Sequence, residues 1–398
     1  MVARVEKSIQ EINARIKRGE AVVVTAEEMI GITAEHGVQE AARQIDIVTT
    51  GTFSPMCSSG AFFSLGHTKP KIRASNVWIN NVPAYGGLAA VDVYLGATEA
   101  CVEDPLNKIY PGEFRYGGGH VIQDLLAGKN VHVYMEGYGT TCYPNKVVEK
   151  ELSLEEMPSA ILCNPRNAYQ NYNCAINLSE KIIYTYMGVL RPQGGNVTYC
   201  SAGQLSPLLN DPYYQTVGLG TKIFLGGGIG YVTWYGTQHN PTVSRGDNGV
   251  VKGGAGTLFV MGDLKQMSPE WLVGVSMLGY GCSLAVGIGI PIPIINEDMA
   301  RFTSVSDDDI YAQVVDYSYE YPMATGKILQ EVSYGDLKRG RVIIDGQETP
   351  ASPLSSYSKA REIAETLKVW IQKGDFTLGE SQMKLPGYEL LDGNKLSD

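Results

Sequence analysis

The chain has 398 residues, 44% hydrophobic and 19% charged, which is enough to bury a large core without disulfide staples. Its 32 Lys+Arg against 42 Asp+Glu give a net charge of −10, which argues against a nucleic-acid or anionic-membrane surface. The seven cysteines are an odd count in a large chain with no secretory signal, so free thiols in a reducing cytoplasm are expected.

Residues 1–19 read as a charged amphipathic helix, not as a targeting sequence. Residues 21–24 form a short strand, Thr25 an N-cap, and Glu27 and Glu28 the acidic first turn of a helix running to about Arg43. A buried strand at 45–50 leads into the loop 51–60, and 61–65 begins a helix. A strand at 130–136 precedes the glycine-flanked loop 137–146, and 179–187 is helical. A strand at 222–225 delivers the glycine loop 226–230. Residues 272–295 carry no charge over 24 positions, yet hold five glycines and two prolines. That composition fits a buried strand-loop-strand better than a membrane helix. A helix at 355–372, with Ser355 or Ser358 near its cap, is followed by a polar tail, 376–398. Alternating strand and helix signals predict an α/β fold, with mixed α+β also open, in which helices pack on a mixed sheet. Residues 20–375 form the main unit between the N-terminal helix and the tail.

No dinucleotide glycine fingerprint, P-loop, H-E-x-x-H, G-x-S-x-G or C-x-x-C is present. What remains are thiols, imidazoles and glycine loops. Cys57, in Phe53-Ser-Pro-Met-Cys-Ser-Ser-Gly60, follows a strand; a helix starting at 61 would favour its thiolate. Cys142, in Gly137-Tyr-Gly-Thr-Thr-Cys-Tyr-Pro-Asn-Lys146, has Lys146 close in sequence to stabilise a thiolate. His239 is the first choice for a general acid, because its loop is rich in polar groups and glycine. Arg166, beside Asn167, suits a bidentate carboxylate contact that lysine makes less well. Gly228 and Gln238 join the candidate substrate contacts. Cys282 reads as core, and Cys101, Cys163, Cys174 and Cys200 as bland thiols. No local metal motif is present; an iron–sulfur site built from distant cysteines stays open.

Several long strings carry a resemblance: 81–92 (NVPAYGGLAAVD), 138–144 (YGTTCYP), 164–172 (NPRNAYQNY), 202–212 (AGQLSPLLNDP), 223–231 (IFLGGGIGY), 236–239 (GTQH), 262–271 (GDLKQMSPEW) and 355–365 (SSYSKAREIAE). On these, over roughly residues 20–375, the chain resembles the homocysteine biosynthesis family, whose members act as L-aspartate semialdehyde sulfurtransferases. The resemblance implies conversion of L-aspartate semialdehyde to homocysteine with sulfide-level sulfur and two electrons. It implies two functional cysteines at Cys57 and Cys142, and a ferredoxin-like electron-donor protein. It leaves open persulfide, disulfide or iron–sulfur chemistry, with a cluster on this chain or on the partner, and a homo-oligomer. The alternatives are sulfur transfer to another small aldehyde, or a non-catalytic sulfur-carrier or amino-acid-binding subunit.

Overall fold

The computed structural model describes residues 5–324 and 326–389. The helices form where caps and apolar spacing agree. Helix Ile9–Arg18 opens on Ser8, whose hydroxyl accepts the Glu11 N–H while the Glu11 carboxylate accepts the Ser8 N–H. Ile12 and Ile16, four residues apart on one face, are buried. The helix is pinned by Asp46, fully buried, which takes Lys7 at 3.3 Å and Arg15 at 2.9 Å. The first four residues of the expected N-terminal helix lie outside the described residues. Thr25 caps Ala26–His36 as expected, but Gly37 at φ 81° ends that helix, and a second one, Val38–Gln44, follows.

Most strands belong to two sheets, one of thirteen strands and one of six; a three-stranded sheet packs beside them. Parallel pairs occur between Val23–Thr25 and Ile47–Thr49, Cys174–Ile176 and Tyr311–Asp316, and Val197–Tyr199 and Gln347–Pro353; the thirteen-stranded sheet pairs antiparallel throughout. The mixed α/β expectation is thus borne out. Helix Tyr357–Gln372, capped by Ser356, packs its Ala360, Ile363, Ala364, Leu367 and Ile371 stripe against strands Gly281–Gly289 and Thr52–Pro55. The uncharged stretch 272–295 is the hairpin Leu272–Met277/Gly281–Gly289 followed by strand Pro291–Pro293. Among the described residues no helix is long and apolar enough to cross a membrane.

Three local expectations are corrected. Residues 61–65 do not start a helix: Gly60–Ser64 is a strand between Asp92–Gly96 and Ser159–Asn167, burying Ala61 and Phe63 while Phe62 and Ser64 face away. Aromatic residues with period-two burial suit a pleated surface, and cross-strand pairing outweighs helix propensity. Residues 179–187 are not helical either; Ile183–Thr185 pairs with Gly188–Leu190 in a tight hairpin. Residues 376–389 of the polar tail are packed: Phe376 and Leu385 are buried, and Met383–Lys384 pairs with Gly218–Leu219. Residues 390–398 lie outside the described residues.

Candidate active site

A cavity of about 260 Å³ opens where segments of the two large sheets meet. Its floor is the turn that follows strand Thr52–Pro55. The Met56 N–H donates to Leu284 O (2.8 Å), Ser59 N–H closes the turn onto Met56 O (3.0 Å), and Ser59 O accepts from Ala97 N–H (2.8 Å). Gly60 then enters its strand where a Cβ would stand 2.3 Å from the Tyr94 hydroxyl and 2.6 Å from Leu95 O, so only glycine fits. This bracing presents Cys57 to the cavity. The Ser283 hydroxyl donates to the Cys57 sulfur (3.4 Å), and the Tyr280 phenol sits within its hydrogen-bonding reach. Cys57 therefore stands on a strand-to-strand turn and owes nothing to a helix N-terminus.

Arg166 arrives from strand Ser159–Asn167, whose register with Leu258–Asp263 shifts between Asn164 and Asn167. Such a bulge re-aims side chains, and Arg166 lines the cavity. The Ser58 hydroxyl donates to Arg166 O (3.2 Å), tying the arginine segment to the Cys57 turn. Arg166 is the one charged residue on the lining, and no carboxylate lies on it. Gln238, held at φ 64°, points its Oε1 to accept from the Tyr169 hydroxyl (2.9 Å).

Tyr169, Tyr172, Tyr186 and Tyr280 line the remaining wall. The Tyr169 and Tyr172 rings are 4.9 Å apart, Tyr172 O–H donates to Tyr186 Oη (3.2 Å), and the Tyr186 and Tyr317 hydroxyls are 2.9 Å apart. Burial pushes the Tyr280 phenol up to about 12, the neighbouring Cys57 adding to it, and burial likewise pushes Tyr169 up to about 12. These phenols stay protonated near neutral pH and act as donors.

A second thiol shares the cavity. Cys200 follows strand Val197–Tyr199, with the Ser54 hydroxyl 2.8 Å from its sulfur and the Ser355 hydroxyl donating to it at 3.4 Å. Burial pushes its thiol up, the Ser355 and Ser54 hydroxyls pull it back, and Cys57 is close enough for its charge to push it up further.

Cys57, Arg166 and Gln238 thus converge, whereas the other expected residues stand elsewhere. His239 is turned away by the Gln238 backbone. Its Nδ1 accepts the Thr257 N–H (3.1 Å) and its Nε2 lies 2.9 Å from Pro386 O, so both ring nitrogens are engaged by backbone. Asn167 is buried behind the lining, its Oδ1 accepting the Ala168 N–H (2.6 Å). Gly228 begins strand Gly228–Tyr235 and packs on Gln266, away from the cavity. Cys142 is exposed, and Lys146 packs over Gly139 in the same loop.

Topology explains the separation of Cys57 from Cys142. The pairing runs Phe62↔Tyr94↔Tyr85↔Asn76↔Glu136 across five strands, each antiparallel to the next. The first and fifth therefore point the same way. Cys57 precedes the first strand and Cys142 follows the fifth, so their loops leave opposite ends of this part of the sheet. The residues not singled out from sequence are Cys200, Ser54, Ser283 and the four tyrosines. A usable signal existed: 24 tyrosines against 8 phenylalanines indicate phenol groups with polar work to do.

Among the described residues no three histidine, cysteine or acidic side chains gather to hold a metal. Two thiols in one cavity do not make the four-thiolate cradle of an iron–sulfur cluster.

The family described as "Homocysteine biosynthesis enzyme, sulfur-incorporation" matches residues 21–378, nearly the whole chain. The chain belongs to this family. It is 48% identical over 384 residues to the L-aspartate semialdehyde sulfurtransferase of Methanosarcina acetivorans, covering 96% of this chain and 72% of that protein. It is also 48% identical over 387 residues to the L-aspartate semialdehyde sulfurtransferase of Methanocaldococcus jannaschii, covering 94% and 72%. An uncharacterized protein of Methanothermobacter thermautotrophicus is 28% identical over 347 residues, covering 85% and 73%. No solved structure matches. In this member of the homocysteine biosynthesis family the cavity brings together two thiols, Cys57 and Cys200, and one guanidinium, Arg166.

Proposed function

We propose that this chain incorporates sulfide-level sulfur into L-aspartate semialdehyde to give L-homocysteine, with Cys57 carrying the transferable sulfur as a persulfide that forms when sulfide opens a disulfide at Cys57, the disulfide closing again as the sulfurated substrate leaves. The observation that carries the reading is one cavity that unites a thiol, a guanidinium and four phenols and has no carboxylate on its wall. Two relatives at 48% identity named for this activity support it. The volume lies below the ~300–1,000 Å³ of drug-sized sites, which suits a substrate of few heavy atoms.

Arg166 takes the substrate carboxylate bidentately. The substrate ammonium finds no acidic partner on the wall and lies against tyrosine faces, where the ring quadrupole attracts a cation. The aldehyde carbon then faces Cys57. The terminal persulfide sulfur attacks it, and negative charge develops on the former carbonyl oxygen. Tyr280, protonated and beside Cys57, donates to that oxygen and supplies the proton with which it leaves as water. The acid role thus moves from His239 to Tyr280. A ferredoxin-like protein working in the reducing cytoplasm delivers the two electrons, and any cluster belongs to that partner. Cys142, exposed at the other end of the sheet, meets a partner protein instead of Cys57 of its own chain.

Anaerobic protein given L-aspartate semialdehyde, sulfide and a reduced ferredoxin-type carrier is expected to yield homocysteine. Cys57→Ser is expected to lower the rate by about 10³-fold or more, as loss of a covalent nucleophile does. Equal rates in the variant would reject Cys57 as the sulfur carrier.

A further inference from the structure

The proposed reaction uses one of the cavity's two thiols. Cys200 enters the same space from the six-stranded sheet, 143 residues away in sequence, and its sulfur has two serine hydroxyls on it, Ser54 at 2.8 Å and Ser355 at 3.4 Å. Ser54 lies on the strand that delivers Cys57, so the two thiols are tied through one short segment. Buried thiols that serve only as packing sit among apolar groups; Cys174, fully buried beside Val197 and Val314, is such a case in this fold. Cys200 instead borders open space, polar donors and another thiol.

We propose that Cys200 is a second reacting thiol of this site, forming with Cys57 a disulfide that sulfide opens and that closes again as the sulfurated substrate leaves. The inference rests on the function proposed above. Hydrosulfide attacks the Cys57 sulfur of the disulfide; the Cys57–Cys200 bond breaks, a Cys57 persulfide forms, and Cys200 departs with the electron pair. The Ser54 and Ser355 hydroxyls stabilise that departing sulfur and its proton is taken up from the cavity. The persulfide's terminal sulfur then bonds to the aldehyde carbon. Cys200 next attacks the Cys57 sulfur, reforming the disulfide and releasing the thiohemiacetal anion. These exchanges consume no electrons: hydrosulfide and aldehyde give the thiohemiacetal. Loss of water leaves a thioaldehyde, and two electrons with two protons, from a low-potential iron–sulfur electron carrier, give the thiol product. Once sulfide has freed it, a Cys200 thiol pushed up by burial suits this order, since it leaves the attack on substrate to the sulfur on Cys57.

The test has three arms. Anaerobic wild-type protein is oxidised with diamide and mapped by mass spectrometry. The expected product is a Cys57–Cys200 disulfide, which sodium sulfide converts to Cys57 with one added sulfur and a free Cys200 thiol. Homocysteine formation is then measured in Cys200→Ser and Cys200→Ala, each checked for an unchanged melting temperature; a loss of about 100-fold or more is expected. Unmodified Cys200 in the oxidised protein, a Cys57–Cys142 bond within or between chains, or wild-type rates in both variants overturns the proposal. If the disulfide maps and opens with sulfide but wild-type protein makes no homocysteine, the assigned reaction fails and the thiol pair stands.

Discussion

In the proposed function, Arg166 sets the sign of the substrate that the cavity accepts. A single guanidinium on a wall without carboxylates sets a positive field, and among the described residues no acidic side chain forms an ion pair with it. A bound carboxylate is then its first salt partner, and hydrogen bonds to charged groups contribute ~1.5–3 kcal/mol each. Arg166→Gln is expected to raise KM for L-aspartate semialdehyde by about 10- to 100-fold with kcat changed far less, since the lost contact holds ground state and transition state alike. Arg166→Lys should fall between, keeping charge but losing the planar fork. Steady-state kinetics on both variants checks this; an unchanged KM in Arg166→Gln removes the arginine from the site. The residue's type is legible in the sequence, because few side chains suit bidentate recognition; its place on the cavity wall comes from the bulge at Asn164–Asn167, which the sequence does not show. Cys200 is not legible there, because Val197-Thr-Tyr-Cys200 looks like any buried strand end. Only the hydroxyls of Ser54 and Ser355, brought from remote segments, distinguish it.

At the scale of elements, legibility follows how local the determining forces are. The capping boxes at Ser8 and Thr25 and the stripe of helix Tyr357–Gln372 are set within a few residues, and sequence finds them. The strand Gly60–Ser64 is set by neighbours at 92–96 and 159–163, and local propensity misreads it as a helix. That misreading matters, because it assigned Cys57 an activating helix end that is absent. What the turn has instead is Gly60, jammed against Tyr94 and Leu95. Gly60→Ala must displace the Tyr94 ring or the backbone, at a cost of roughly 1–3 kcal/mol by analogy with overpacked cores. Because Gly60 lies three residues after Cys57, the shift is passed to the thiol. The variant is expected to melt at lower temperature and to lose activity beyond what its folded fraction explains. Full specific activity of the folded protein would show that the turn tolerates the displacement.

The whole molecule joins segments near 52–58, 166–172, 186–187, 200–206, 238, 280 and 354–355 into one cavity. Such convergence depends on sheet order and register, which periodicity in one sequence does not contain, so Cys57 and Cys142 looked equivalent as thiols in glycine-rich loops. The antiparallel ladder separates them: four reversals between their strands put the loops at opposite ends, one lining a cavity and one exposed. Substrate should therefore reach one thiol and not the other. With a slow alkylating reagent under anaerobic conditions, Cys142 is expected to react at a rate that saturating L-aspartate semialdehyde leaves within about twofold. Cys57 is expected to be shielded, its rate falling by the bound fraction, about 100-fold at a hundred times Kd. Peptide mass spectrometry over time resolves the two. Shielding of Cys142 together with Cys57 would mean that the loop at 137–146 meets a cavity after all, and since the ladder of one chain keeps them apart, that cavity would belong to a second copy.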